Sequence, residues 1–215
     1  AAIKGDVDSF KTYLDDIVTL FNIIKRENPG IKLFIAGESF GALLGIQFIQ
    51  RYADISAGLI CITPFFKNKV KLSVGKMLEI YLWFFVNPKK PFVLPFESAL
   101  CTRDAGYQKV LDSEDSGEHR FASPRFLLNL ILAQMRARFI RSELKIPVLF
   151  QIAGDDRIID NCVILKVFRN LKCPDKKIIE YPGMYHSLTV DIGKEKVFED
   201  ILGWINSKLR MPEAL

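Results

Sequence analysis

The chain has 215 residues, 49% of them hydrophobic and 26% charged, with a net charge of +5; that balance is ordinary for a soluble globular protein, and the length allows one domain with a real core. Two histidines argue against a His-rich metal site, and four cysteines (Cys61, Cys101, Cys162, Cys173) show no metal-ligand spacing. Such cysteine usage fits reduced thiols in a cytoplasm-like compartment better than a disulfide framework.

At the N-terminus, residues 1–10 carry Lys4, Asp6 and Asp8 and lack the apolar segment of a signal peptide. From Asp8 to Glu27 the pattern is helical, with Phe10, Tyr13, Leu14, Ile17, Leu20, Phe21 and Ile24 on one face. Asn28-Pro29-Gly30 stops that helix, and the apolar, β-prone run from Ile31 to Ala36 follows. Next comes Gly37-Glu38-Ser39-Phe40-Gly41, and then a buried helix through Ile49. A G-x-S-x-G pentapeptide between a strand and a helix describes a nucleophile elbow, in which the sharp turn calls for small residues two positions either side of the serine.

A second buried strand is predicted over Ile55 to Thr63, ended by Pro64. From residue 65 to 142 the pattern changes to prolines, a polar stretch and helical segments near 74–86 and 124–140. Ile146 to Ala153 returns as a strand closed by Gly154-Asp155-Asp156. A helix near 160–171, a strand from Lys177 to Tyr181 and a helix near 194–208, with Val197, Ile201, Trp204 and Ile205 on one face, complete the order. Alternating strands and helices imply an α/β fold with a doubly wound, mostly parallel sheet, with residues 1–64 and 143–215 as its core and 65–142 as a helical cap. Ligands in such sheets bind beyond the carboxyl ends of the strands.

Ser39, Asp156 and His186 all fall at such ends. A serine hydroxyl needs a base, histidine titrates in the right range, and the histidine needs an acid to fix its tautomer. The chain order Ser39, Asp156, His186 is that of an α/β-hydrolase triad. Asp155 competes with Asp156 for the acid position. His119, among Asp115, Glu118 and Arg120, reads as a solvated surface histidine.

These stretches together resemble the monoacylglycerol lipase and lysophospholipase-like branch of the α/β-hydrolase family. The likeness rests on Pro29-Gly30, the elbow, Pro147-Val148-Leu149 leading to Gly154-Asp155-Asp156-Arg157, and the run Tyr181-Pro182-Gly183-Met184-Tyr185-His186. It extends from about Gly5 to Arg210. The resemblance implies an acyl-enzyme on Ser39, with Asp156 as the acid and the Phe40 backbone N–H as one oxyanion donor. Family members usually carry histidine before the serine; Glu38 here is the residue of many carboxylesterases. The family's second oxyanion donor comes from an earlier loop, often His-Gly, and this sequence has none ahead of Ser39. The expectation is therefore a fold lacking the family's N-terminal strands, on the order of 70 residues.

The expected activity is a serine hydrolase of carboxylic esters with an apolar acyl group, with no metal or organic cofactor. An acyltransferase using the same acyl-enzyme and a non-catalytic binding protein stand as alternatives. Between Phe65 and Pro95 six lysines face Glu79 alone, among Trp83 and five phenylalanines. That segment reads first as a helical cap with solvated lysines and second as a peripheral contact with an anionic membrane. Met77 to Val86, broken by Glu79, falls short of the roughly 18 apolar residues of a spanning helix. No phosphate loop, zinc spacing or RNA-binding signature accompanies the charge, so nucleic acid is not an expected partner.

Overall fold

The computed structural model describes residues 4–52, 55–69, 73–94, 97–113, 121–140 and 143–210. His119 and its polar neighbours lie outside the described residues, as do Lys71 and Pro95 of the basic segment.

Helix α1 (Phe10–Glu27) starts at Ser9, whose hydroxyl accepts the Lys11 N–H and so satisfies one orphan amide of the first turn. Phe10, Leu14 and Phe21 are buried. Leu20, assigned to the same face from periodicity, is instead exposed; at 3.6 residues per turn it lies about 80° around the helix from Phe10, at the margin of the buried stripe. Strand β1 (Phe34–Glu38) begins three residues later than the sequence pattern suggests and runs directly into the elbow. Helix α2 (Phe40–Arg51) starts after Ser39, whose side chain makes no capping bond, and buries seven of its residues, and β2 (Gly58–Ile62) is buried throughout.

Between β2 and the next sheet strand the chain forms α3 (Val74–Val86), β3 (Phe92–Val93), α4 (Ser98–Cys101), α5 (Ala105–Asp112), β4 (Phe121–Ala122) and α6 (Pro124–Arg138). β3 and β4 pair antiparallel, a ladder too short to show in the sequence pattern. The sheet resumes with β5 (Val148–Ala153), then α7 (Asn161–Asn170), β6 (Lys176–Tyr181) and α8 (Lys194–Leu209).

The main sheet has the order β1-β2-β5-β6, with every pair parallel. Its two faces can be read from alternate residues of β2. Leu59 and Cys61 enter a core with Phe10, Leu14, Phe48, Ala133, Ala137 and Ile164, from α1, α2, α6 and α7. Ile60 and Ile62 enter a second core with Val197 and Trp204 of α8. β2 and β5, central and covered on both faces, are continuous apolar runs apart from Gln151. Among the described residues β1 is hydrogen-bonded on one side only. All four cysteines are free, three of them buried, and burial pushes the Cys101 thiol up to about 11. No helix among the described residues is long and apolar enough to cross a membrane.

Candidate active site

Ser39 follows β1, Asp156 follows β5 and His186 follows β6, so the sheet topology gathers them at the carboxyl ends of three strands. The elbow holds Ser39 at φ 54°, one of two non-glycine residues with positive φ among the described residues, a conformation that the surrounding structure has to enforce. Its N–H donates to the Ile62 carbonyl at 2.9 Å, and its own carbonyl accepts from Leu43 N–H at 3.2 Å and Phe65 N–H at 3.1 Å. The requirement for small flanking residues holds on one side only. A Cβ on Gly37 would lie 2.4 Å from the Gly41 carbonyl carbon, whereas one on Gly41 would meet nothing within 4 Å.

His186 Nε2 lies 2.9 Å from Ser39 Oγ, and Nδ1 lies 2.8 Å from Asp156 Oδ2. An ionised carboxylate can only accept, so Nδ1 carries the proton and Nε2 is left to accept from the serine hydroxyl. Asp156 Oδ1 accepts the N–H groups of Ile158 and Ile159, each at 2.8 Å. Asp156 is 1% exposed and His186 5%. Burial works to raise the Asp156 pKa, but the His186 hydrogen bond and charge together with the two amides outweigh it and hold the carboxyl below its ordinary value. Asp155, the competing aspartate, points elsewhere: its exposed carboxylate faces Arg157 at 3.5 Å, and its N–H donates to the Met184 carbonyl.

Phe40 N–H is among the first amides of α2, which lack an intrahelical acceptor and sit at the positive end of the helix. Its ring packs with Phe10 (centroids 5.1 Å apart), Tyr13 (5.8 Å) and Phe126 (5.6 Å), which ties the elbow to α1 and α6. The chain between β2 and β5 also frames the site. Lys67 pairs with Asp160 at 2.8 Å, Lys69 N–H donates to the Ile158 carbonyl at 2.8 Å, and Lys69 Nζ donates to the Asp156 carbonyl. On the other side the buried Asp191 carboxylate accepts from Tyr185 N–H, Arg103 N–H and Nε, and Thr102 Oγ, fastening residues 102–103 to the loop of His186. Sequence reasoning missed Asp191, Arg103 and the pairing of Glu38 with Thr189; no spacing signal marks partners 88 or 151 residues apart.

Among the described residues no three His, Cys, Asp or Glu side chains gather as a metal-ligand set. The open groove lined by Leu14, Gln47, Arg51, Met135 and Phe139 lies at the C-terminal end of α2, a helix length from Ser39 at its cap. The arrangement at Ser39 can deprotonate a hydroxyl, stabilise the resulting imidazolium and place a helix-terminal amide beside developing negative charge.

Residues 2–193 match the family Hydrolase_4, described as serine aminopeptidase, S33. A phospholipase, YtpA, of Bacillus subtilis (strain 168) is 26% identical over 200 residues, covering 91% of this chain and 75% of that protein. The monoglyceride lipase of Rattus norvegicus is 22% identical over 211 residues, covering 97% of this chain and 69% of its own length. Among solved structures, the monoacylglycerol lipase of Paleococcus ferrophilus superposes with a TM-score of 0.82 at 22% identity, over 93% of this chain and 76% of that one; at that identity the likeness speaks for the fold.

Proposed function

The chain belongs to the Hydrolase_4 family of α/β-hydrolases, and from that membership and the site's geometry we propose that it is a serine hydrolase of carboxylic esters with an apolar acyl group. The observation that carries this reading is the continuous hydrogen-bonded chain from Ser39 Oγ through His186 to Asp156, at 2.9 and 2.8 Å.

In the proposed reaction Ser39 Oγ attacks the ester carbonyl carbon while His186 Nε2 takes the hydroxyl proton. Asp156 holds the ring and stabilises the imidazolium. The tetrahedral oxyanion takes a hydrogen bond from the Phe40 N–H. The carbon–oxygen bond to the alcohol then breaks, and His186 returns its proton to the leaving oxygen. Water attacks the acyl-Ser39 ester with His186 again as base, and collapse releases the carboxylic acid and the free serine. Ester rather than peptide cleavage is favoured by the relatives, a phospholipase and a monoglyceride lipase.

A fluorophosphonate probe tests the assignment. Wild-type protein should label and Ser39→Ala should not; p-nitrophenyl butyrate should turn over and an aminoacyl p-nitroanilide should not. Labelling that survives Ser39→Ala would overturn it. Product analysis with a competing alcohol present separates hydrolysis from acyl transfer.

Residues 65–142 serve in this reading as the cap that selects the acyl group, and residues 65–95 as a contact with anionic membrane. Support for the contact comes from α3. Met77, Leu78, Tyr81, Leu82, Phe85 and Val86 are exposed on a helix that buries only Ile80. Lys76 precedes this surface, and Lys89 and Lys90 follow it, Lys90 with its Nζ 3.3 Å from the Trp83 ring centre. An apolar face with basic flanks suits the boundary of an anionic bilayer. Sedimentation should show tighter binding to vesicles containing phosphatidylserine than to neutral ones; equal binding would remove the electrostatic part.

A further inference from the structure

The position between Gly37 and Ser39 is one that the elbow pattern leaves free. It holds Glu38, the last residue of β1. Both oxygens of its carboxylate are taken by a single residue. Thr189 N–H donates to Oε1 at 3.1 Å and Thr189 Oγ–H to Oε2 at 2.6 Å. Thr189 lies three residues beyond His186, on the same loop.

The loop has other fastenings, and each leads elsewhere. Asp155 N–H donates to the Met184 carbonyl at 3.0 Å, joining it to the acid loop. Ser187 N–H donates to the Cys101 carbonyl at 2.8 Å, and Tyr185 N–H donates to Asp191, which in turn receives Thr102 and Arg103. These bonds hold the loop to Asp156 and to residues 101–103. Apart from the His186–Ser39 bond itself, the two bonds to Glu38 are the hydrogen bonds that join this loop to β1 among the described residues.

We propose that Glu38 is a positioning residue: through Thr189 it sets the register of the His186 loop against the nucleophile strand and so holds Nε2 within hydrogen-bond reach of Ser39 Oγ. The proposal rests on the serine-hydrolase reading above. It gives the position before the nucleophile a task distinct from binding substrate. The physical case is that proton transfer is steep in distance, and a displacement of about 1 Å costs on the order of 10²-fold in rate. A carboxylate that takes both donors of one residue fixes that residue's orientation as well as its distance.

A purely electrostatic role, in which the Glu38 charge stabilises the imidazolium, makes a different prediction. Glu38→Gln keeps an acceptor for the Thr189 N–H, and the Thr189 hydroxyl can rotate to accept from the new amide, so the clamp survives without its charge. The experiment is a double-mutant cycle read by the rate of fluorophosphonate labelling of Ser39 and by kcat and KM for a p-nitrophenyl ester. Glu38→Ala and Thr189→Val should each slow labelling by about 10- to 100-fold, with the loss in kcat rather than KM. The double variant should be no slower than the slower single one, because both remove the same clamp. Glu38→Gln should restore most of the rate lost in Glu38→Ala, and Thr189→Ser, which keeps both donors, should behave the same way. Thermal melts accompany each variant, and the Gln and Ser variants carry the test where the truncations fail to fold. Glu38→Gln as slow as Glu38→Ala, or additive losses in the double variant, would overturn the clamp. Wild-type protein that does not label at all would instead condemn the serine-hydrolase reading, and the clamp with it.

Discussion

A single methyl group at Gly37 would have to occupy the space of the Gly41 backbone, 2.4 Å away. Neither atom can move without opening the turn that holds Ser39 at positive φ. Gly37→Ala should therefore lower the melting temperature by several degrees and abolish labelling of Ser39. Gly41→Ala, in the first turn of α2 with open space around its Cβ, should leave the melting temperature unchanged or raise it, by up to about 1 kcal/mol of helix propensity. Equal melting temperatures for the two variants would contradict the asymmetry. The elbow was legible because its signature is local, five consecutive residues between a strand and a helix. The candidate acid was legible from the residues alone only as a pair, of which the family resemblance picked Asp156. Asp155 and Asp156 have the same side chain and adjacent positions, and the path of the loop brings the second to His186 while leaving the first in solvent beside Arg157.

Helix α3 shows what a segment's composition leaves open. Its boundaries follow from Ser73, whose hydroxyl caps the Lys76 N–H, and from the Asn87-Pro88 that ends it. Its environment does not follow, because a helix apolar on most of its circumference is ordinarily a buried one. Here Ile80 packs in a small cluster with Ala122 and Leu127, while Leu82 and Phe85, 60% and 66% exposed, face outward. Two substitutions on one helix should therefore separate. Ile80→Ala should cost about 2–5 kcal/mol of stability, by lost burial and the cavity left behind. Leu82→Ser should stay within about 0.5 kcal/mol in a melt and yet weaken vesicle binding. A large melting loss for Leu82→Ser would mean that this face is covered in solution.

Across the whole molecule, carboxylates with buried or paired oxygens set the response to acid. The Arg125 guanidinium, against burial and aided by Ser123, holds Asp6 below its ordinary value. Burial works to raise Asp191, but the amides of Tyr185 and Arg103 with the Thr102 and Arg103 side chains hold it down, and Asp156 is held down by His186. Each folded pKa lies below the unfolded value of about 3.9, so the unfolded chain takes up protons first as the pH drops. The stability these groups contribute is complete above about pH 4 and is lost as pH falls through their folded values. Melting temperatures from pH 8 down to pH 3 should hold a plateau with respect to these groups and then fall below about pH 4. Asp191→Asn should lower the plateau and flatten the fall. A melting temperature that rises on acidification would contradict the assignment.

The sequence by itself determined the alternation of strands and helices, the elbow and the order of serine, aspartate and histidine, because periodicity, caps and turn residues act over a few neighbours. Tertiary structure decided which aspartate meets His186, that Glu38 is joined to Thr189, that Arg103 meets Asp191, and which side of α3 is left uncovered. Those outcomes depend on where residues 30 to 151 positions apart are brought once the strands form one sheet. A hydrogen bond that closes so long a loop leaves no mark on the spacing of the residues that make it.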